Sequence, residues 1–322
     1  MFRLLHIAVA VGVGMFATLA QAQTYPAKPI RIIVPAAAGG TTDILARALG
    51  QRLTESWGQP VLVENKPGAT NQLAAAEVAK APADGYTLFA SPEGTFVINP
   101  SLYRKLSYDP KDFVPVSGLA GVSQGLIMHP SVPAQNFNEF LALARSKPGQ
   151  LTYAAFGIGT AGHLNMELLQ MLTGTKFVVA HYRGAAPALT DVVGGHVNML
   201  FMALGGALQQ WKSGRVKVLA VGSTKRLPQF PDLPTIAENG LPGFEARSWY
   251  GLFAPAKTPR DIVNKINAET VRIFSDPAFQ EKHLNASLYE PMVSSPEDFA
   301  AYIRADTEKW GKVIRAANIS VD

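Results

Sequence analysis

Short apolar runs rich in Val, Ile, Phe and Ala alternate along this chain with stretches whose apolar positions recur three and four residues apart. The runs at 30–34, 61–64, 86–91, 126–128, 151–156, 177–180, 197–202, 216–221 and 250–254 predict short buried strands. Leu164, Leu168, Met171 and Leu172 carry the helical spacing after one of them. Several helices have start signals. Thr41, Thr42 and Asp43 open the first, Asn136 with Glu139 resembles a capping box, and Thr258-Pro259 and Ser295-Pro296 each set a cap residue before a proline. Regular alternation of this kind predicts an α/β fold with mostly parallel sheets.

Two Gly-, Ser- and Pro-rich stretches, 116–125 and 222–234, interrupt the alternation. As crossovers they divide the chain into one lobe of residues 23–122 plus 223–322 and a second lobe of residues 123–222. Two lobes joined by paired strands form a hinged clamp with a ligand cleft between them.

Composition narrows the function classes. The chain has 322 residues, 48% of them hydrophobic, enough for a sizeable core. Arg3, the uncharged apolar run 7–19 and Ala20-Gln21-Ala22 read as a leader over 1–22, cleaved after Ala22 on export. Cysteine is absent, which removes disulfides, thiolate metal sites and cysteine nucleophiles together. The formal charge is +5, and the basic residues are scattered singly, which gives nucleic-acid binding no footprint.

The candidate chemistry sits at strand-to-helix junctions. Gly157, Gly159 and Gly162 spell G-x-G-x-x-G after a strand and before a helix, the layout of a dinucleotide fingerprint. That fingerprint wants an acid after the next strand, whereas this chain has His181, Tyr182 and Arg183 there. Two more junctions, Val34 to Asp43 with Gly39 and Gly40, and His181 to Gly195 with Gly184 to Ala186, also turn on glycine into a helix. Each helix start leaves unpaired N–H groups, which suit a carboxylate or phosphate. Catalytic patterns find little support: there is no H-E-x-x-H or Walker loop, and Ser91, Ser123 and Ser248 have no local base. His163 and Glu167 lie four apart on one helix without a third metal ligand. The four tryptophans, Trp57, Trp211, Trp249 and Trp310, read as packing residues.

The segments GGTTDILARALGQRL, GQPVLVENKPGA, KAPADGYTL, INPSLYRKLSYDP, APALTDVVGG, LPTIAENGLPGFE and WYGLFAPAKTP resemble, in order, those of the Bug family, from about Tyr25 to Asp322. These are periplasmic solute-binding proteins of tripartite tricarboxylate transporters. The resemblance implies a two-lobed, type II-like periplasmic binding protein fold that closes over a small carboxylate and works with membrane permease subunits, as a monomer. It implies no cofactor, no metal and no catalytic residue. Carried over by position, Gly39, Gly40, Thr41 and Asp43 form one carboxylate grip. Gly157, Gly159, Thr160 and His163 form the other, with Ser91, Phe156, Tyr182, Ala185 and Met202 beside them. A hydroxyl of Thr160 donating to the ligand is part of that expectation.

The chain departs from the family where GGHVNMLFM stands for the common GGQVDVMFD, so that Asn198 and Met202 replace two acids. Met202 leaves a ligand ammonium without a counter-charge. With Phe156 nearby, the cleft is expected to prefer an aromatic carboxylate of the terephthalate type, the alternative being an aliphatic di- or tricarboxylate. Two other readings stay open: a ligand sensor for a signalling partner and an NADP-dependent oxidoreductase.

Overall fold

The computed structural model describes residues 25–321, so the leader expected at 1–22 lies outside the described residues. The chain begins with β1 (Ile30–Val34), α1 (Thr41–Trp57), β2 (Val61–Asn65), α2 (Gln72–Ala79) and β3 (Thr87–Pro92). Helix α1 buries Leu45, Ala46, Leu49 and Leu53 against the strands and stops at Gly58, whose positive φ lets its N–H bond Thr54 O at 2.9 Å. A π-helical turn (Gly94–Ile98) and the short α3 (Asn99–Leu102) lead into β4 (Phe113–Met128). There follow α4 (Phe137–Ser146), β5 (Thr152–Ala155), α5 (Ala161–Thr173), β6 (Val178–His181), α6 (Ala185–Val193), β7 (Met199–Ala203), α7 (Leu204–Lys212) and β8 (Lys217–Val221). The chain then returns through β9 (Arg247–Pro255), α8 (Arg260–Phe274), α9 (Pro277–His283), β10 (Tyr289–Pro291) and α10 (Pro296–Ala316).

Among the described residues the strands run in the order β2-β1-β3-β9-β4-β7-β5-β6, with β10 and β8 also paired to β4. Parallel pairing is confined to the two ends, β2-β1-β3 and β6-β5-β7. Around β4 and β9 every pair is antiparallel, which corrects the mostly parallel sheet expected from alternation. The reason is that β4 and β9 traverse the molecule in opposite directions and carry the chain out of one half and back.

Strand β4 changes partners in its middle. Ser123 still faces Arg247 of β9, whereas Gln124 already faces Ala203 of β7. At that point β4 passes from pairing with β9 to pairing with β7. Gly222 N–H donates to Gln124 O at 2.8 Å, and Ala246 N–H donates to Gly222 O at 2.8 Å, so three chain segments meet at one spot. The stretch 116–125, read from the sequence as a crossover, is part of strand β4 throughout. Its glycines give room to neighbours: a Cβ at Gly121 would lie 2.0 Å from Arg247 Nε, and one at Gly118 would lie 2.4 Å from Met292 O.

Trp249 and Trp310 are buried core residues, Trp211 packs on Phe230 at 4.9 Å, and Trp57 meets Tyr25 edge-on at 6.1 Å. Trp249 Nε1 donates to Asp306 at 2.8 Å. The expected caps divide. Asn136 Oδ1 accepts from Glu139 N–H at 2.9 Å and Ser295 Oγ from Asp298 N–H at 3.1 Å. Thr258 does not cap: α8 starts one residue further on, behind Pro259, and the buried Thr258 hydroxyl has no partner. No helix among the described residues is long and apolar enough to cross a membrane.

Candidate ligand-binding site

Helices α1, α5 and α6 each begin at one of the three glycine loops, with Gly40, Thr160 and Gly184 as their N-caps. None of the three has a side-chain cap, in contrast to α4, α9 and α10, which use Asn136, Asp276 and Ser295. Two of the N-caps are glycines without a side chain. The third, Thr160, turns its hydroxyl to donate to Gly157 O at 2.9 Å. First-turn amides at these helix starts therefore face outward without a side-chain acceptor, and the helix dipole favours an anion there.

Two of the loops share one internal brace. Gly39, at φ +84°, donates its N–H to Asp43 Oδ2 at 2.9 Å. Gly159, at φ +71°, donates its N–H to His163 Nδ1 at 3.1 Å. In both cases the donor is the glycine just before the N-cap and the acceptor is the third residue of the helix. Only glycine adopts these φ values without cost, and the acceptor four residues on locks the turn. Asp43 is further held by Asn65 Nδ2 and Arg47 Nε, each at 2.9 Å. Its burial pushes the carboxyl up, but the bonds from Arg47, Gly39 and Asn65 outweigh this and hold it below the usual carboxylate range. For His163, burial first and His181 second push the imidazole down to about 4, so it is neutral and Nδ1 is free to accept.

The remaining predicted residues are placed as follows. Gly162 is a packing glycine: a Cβ there would sit 2.5 Å from Phe201 O and 2.7 Å from the Phe156 ring. Gly157 lies at φ +141°, beneath Thr160. Ser91 is fully buried, with its hydroxyl 2.8 Å from that of Thr95. Tyr182 donates its hydroxyl to Asp191 at 2.7 Å, and burial together with that carboxylate pushes the phenol up to about 12. Phe156, Tyr182 and Ala185 all pack against one apolar cluster that contains Met202, Leu204 and Leu288. Met202 is buried, and its methyl lies where a Cβ on Gly206 would meet it at 2.7 Å. Asn198 lies at the other end of β7, where its Oδ1 accepts from Thr152 N–H at 2.8 Å. Glu167 accepts from Tyr153 OH at 2.6 Å and lies 3.9 Å from His163 Nε2.

Sequence reasoning missed the residues that join the two braced loops. Leu288 packs in the cluster with Met202, while its neighbour Tyr289 places its hydroxyl 3.0 Å from Thr41 Oγ1 at the first loop. One dipeptide thus touches both halves of the candidate site. Leu288 holds φ +56°, a conformation that costs a non-glycine residue roughly 1–2 kcal/mol. Such strain persists where the surroundings enforce it. Gly159 approaches from the other side, with a notional Cβ 2.5 Å from Leu102 of α3.

Comparison with known proteins bears on this geometry. The model of the tripartite tricarboxylate transporter family receptor matches residues 45–319. BugT of Bordetella pertussis is 33% identical over 311 residues, covering 96% of this chain and 95% of its own. An R. palustris protein solved with adipate is 35% identical with a TM-score of 0.78, over 92% of this chain and all (100%) of its own. MatC of Rhodopseudomonas palustris, solved with bound malate, is 31% identical with a TM-score of 0.71, over 90% of this chain and 100% of its own. The periplasmic binding protein BugD is 34% identical with a TM-score of 0.73, over 92% of this chain and 100% of its own.

Proposed function

The chain belongs to the tripartite tricarboxylate transporter receptor family, and from that premise we propose that it closes its lobes over one small dicarboxylate and presents it to membrane permease subunits. Receptors of this family are periplasmic binding proteins for carboxylates, not enzymes. The observation that carries the reading is the pair of matched loops, Gly39–Asp43 and Gly159–His163, reached from both sides by Leu288-Tyr289. In this reading the first-turn amides of α1 and α5, with the Thr41 hydroxyl, take the two acidic ends, while the Thr160 hydroxyl, expected to donate to the ligand, is instead spent on Gly157 O. Gly39, Asp43, Gly159 and His163 position those donors.

The middle of the cleft sets the class of acid. Phe156, Leu288 and the buried Met202 offer apolar surface, and with no acid at 202 a ligand ammonium would lack the partner that a buried charge requires. This favours an unsubstituted dicarboxylate over glutamate or aspartate. An aliphatic acid comes first, since the relatives above were solved with adipate and malate. The packing of the Met202 methyl against Gly206 also weakens its role as an aromatic contact. A terephthalate-type acid is the second reading, favoured by the half-buried Phe156 ring beside Gly162. We place the return crossing between lobes at 246–247 rather than 222–223, because Leu227 and Leu233 pack with Met202 in the second lobe. We also assign residues 1–22 to a leader removed on export.

Titration calorimetry of the mature chain with adipate, malate, terephthalate and glutamate tests the proposal. Saturable binding of one dicarboxylate per chain, with glutamate the weakest, is the expected outcome. Tightest binding by glutamate, or no binding by any of the four, contradicts it.

A further inference from the structure

A cavity of about 380 Å³ is lined by none of the residues assigned above to the cleft. Its walls come from the π-helical turn, the start of β4, β9 and α10, through Phe96, Phe113, Phe253 and Ile303. The rings support one another: Phe96 stacks on Phe253 at 3.8 Å and meets Phe113 edge-on at 5.3 Å. All three are otherwise buried, so this opening is where they meet solvent. The volume falls within the roughly 300–1,000 Å³ of small-molecule sites. An adjoining hollow of about 240 Å³ shares Pro115 and Arg304 with it and lengthens the apolar surface past Val114.

Two cations, Lys111 and Arg304, also line the cavity, both exposed and so at its rim. Neither side chain pairs with an acid among the described residues. Neighbouring cations do: Arg260 with Glu297, Lys309 with Asp306 and Lys312 with Glu308. An apolar hollow bordered by unpaired positive charge is complementary to an anion with an apolar body. We propose that this cavity is a second ligand site, for an amphipathic monocarboxylate whose apolar part lies on Phe96, Phe113 and Phe253 and whose carboxylate meets Lys111 and Arg304. The site is independent of the cleft. It takes an apolar body and one charge, whereas the cleft offers amide-lined grips for two.

Octanoate is the probe, with octanol as its uncharged match, titrated calorimetrically into the full mature chain. Octanoate should bind saturably at one site, with octanol about tenfold weaker. Lys111→Glu combined with Arg304→Glu should weaken octanoate by about tenfold or more, as two exposed charge contacts are lost. Ile303→Trp, which fills the hollow, should remove binding altogether. Adipate titrations of the same variants should match wild type, since the cleft is untouched. Absence of saturable octanoate binding, or wild-type octanoate affinity in the double variant, overturns the proposal. Failure of adipate to bind wild type contradicts only the cleft reading and leaves the octanoate comparison decisive for the cavity.

Discussion

Two buried titratable residues near the candidate site respond to pH in opposite directions. Neutral His163 accepts the Gly159 amide, and a proton on Nδ1 would set two donors against each other. Its folded pKa, about 4, lies below the usual imidazole value of 6.5, so the unfolded chain binds the proton more readily. The stability it contributes is complete above the unfolded value and is lost as pH falls through that window. Glu93 behaves conversely. Burial first, with Asp306 adding, pushes its carboxyl up to about 7, despite bonds from the Ser248 hydroxyl and the Trp249 amide. Its contribution is complete below the unfolded value and is lost as pH rises through 7. The two slopes oppose each other, so single variants are needed to separate them. His163→Gln, which keeps an acceptor but does not titrate, should flatten the acid-side loss by about 2 kcal/mol in urea unfolding at pH 5 relative to pH 7. Glu93→Gln should stabilise the protein at pH 8 by a similar ~2 kcal/mol. Slopes matching wild type in either variant would reject that assignment. The glycines and their partners four residues on were legible in the sequence, but their pairing was not, because Asp43 and His163 read equally well as ligand groups. Leu288 and Tyr289 gave no signal, since nothing in a Leu-Tyr pair announces a left-handed residue.

Strands and helices were legible where periodicity was clean, as in β1, whose range was read directly, and blurred where glycine or proline did structural work. Strand β4 shows no strand pattern over 116–125 because it carries irregularities between Pro115 and Ser117 and between Gly118 and Ala120, and because its glycines make room for neighbouring segments. Strand β10, Tyr289–Pro291, is too short to leave a pattern. The crossing point makes a steric prediction. A Cβ at Gly222 would lie 2.3 Å from Ala246 Cβ and 2.6 Å from Ala246 O. Gly222→Ala should therefore cost about 1–3 kcal/mol, read as a lowered melting temperature, and an unchanged melt would show that the crossing can shift. The helix starts offer a matched pair. Ser295→Ala removes a real cap and should cost about 1 kcal/mol in denaturant unfolding. Thr258→Val removes a buried hydroxyl with no partner and should be neutral or stabilising; a loss as large as that of Ser295→Ala would give Thr258 a capping role after all.

At the scale of the molecule, we place the lobe crossings on β4 and β9, with the Gly222–Ala246 contact on one side of them and, on the other, Glu290, which accepts from Ser123 at 2.8 Å and pairs with Arg247 at 3.3 Å. Thin connections of this kind permit hinge motion about the cleft. A saturating dicarboxylate should lower the radius of gyration in small-angle scattering, and an unchanged radius would argue against a clamp. The central claim is that two loops of one build, on opposite sides of the cleft, grip the same ligand. Residue-resolved amide hydrogen exchange tests it most directly, comparing the free chain with the chain saturated by the tightest acid of the calorimetric series. The account predicts added protection at the first-turn amides of α1 (41–43) and α5 (161–163) together, with little change around Phe96 and Phe113. Protection of one loop alone, or of neither while the acid remains bound, would contradict it.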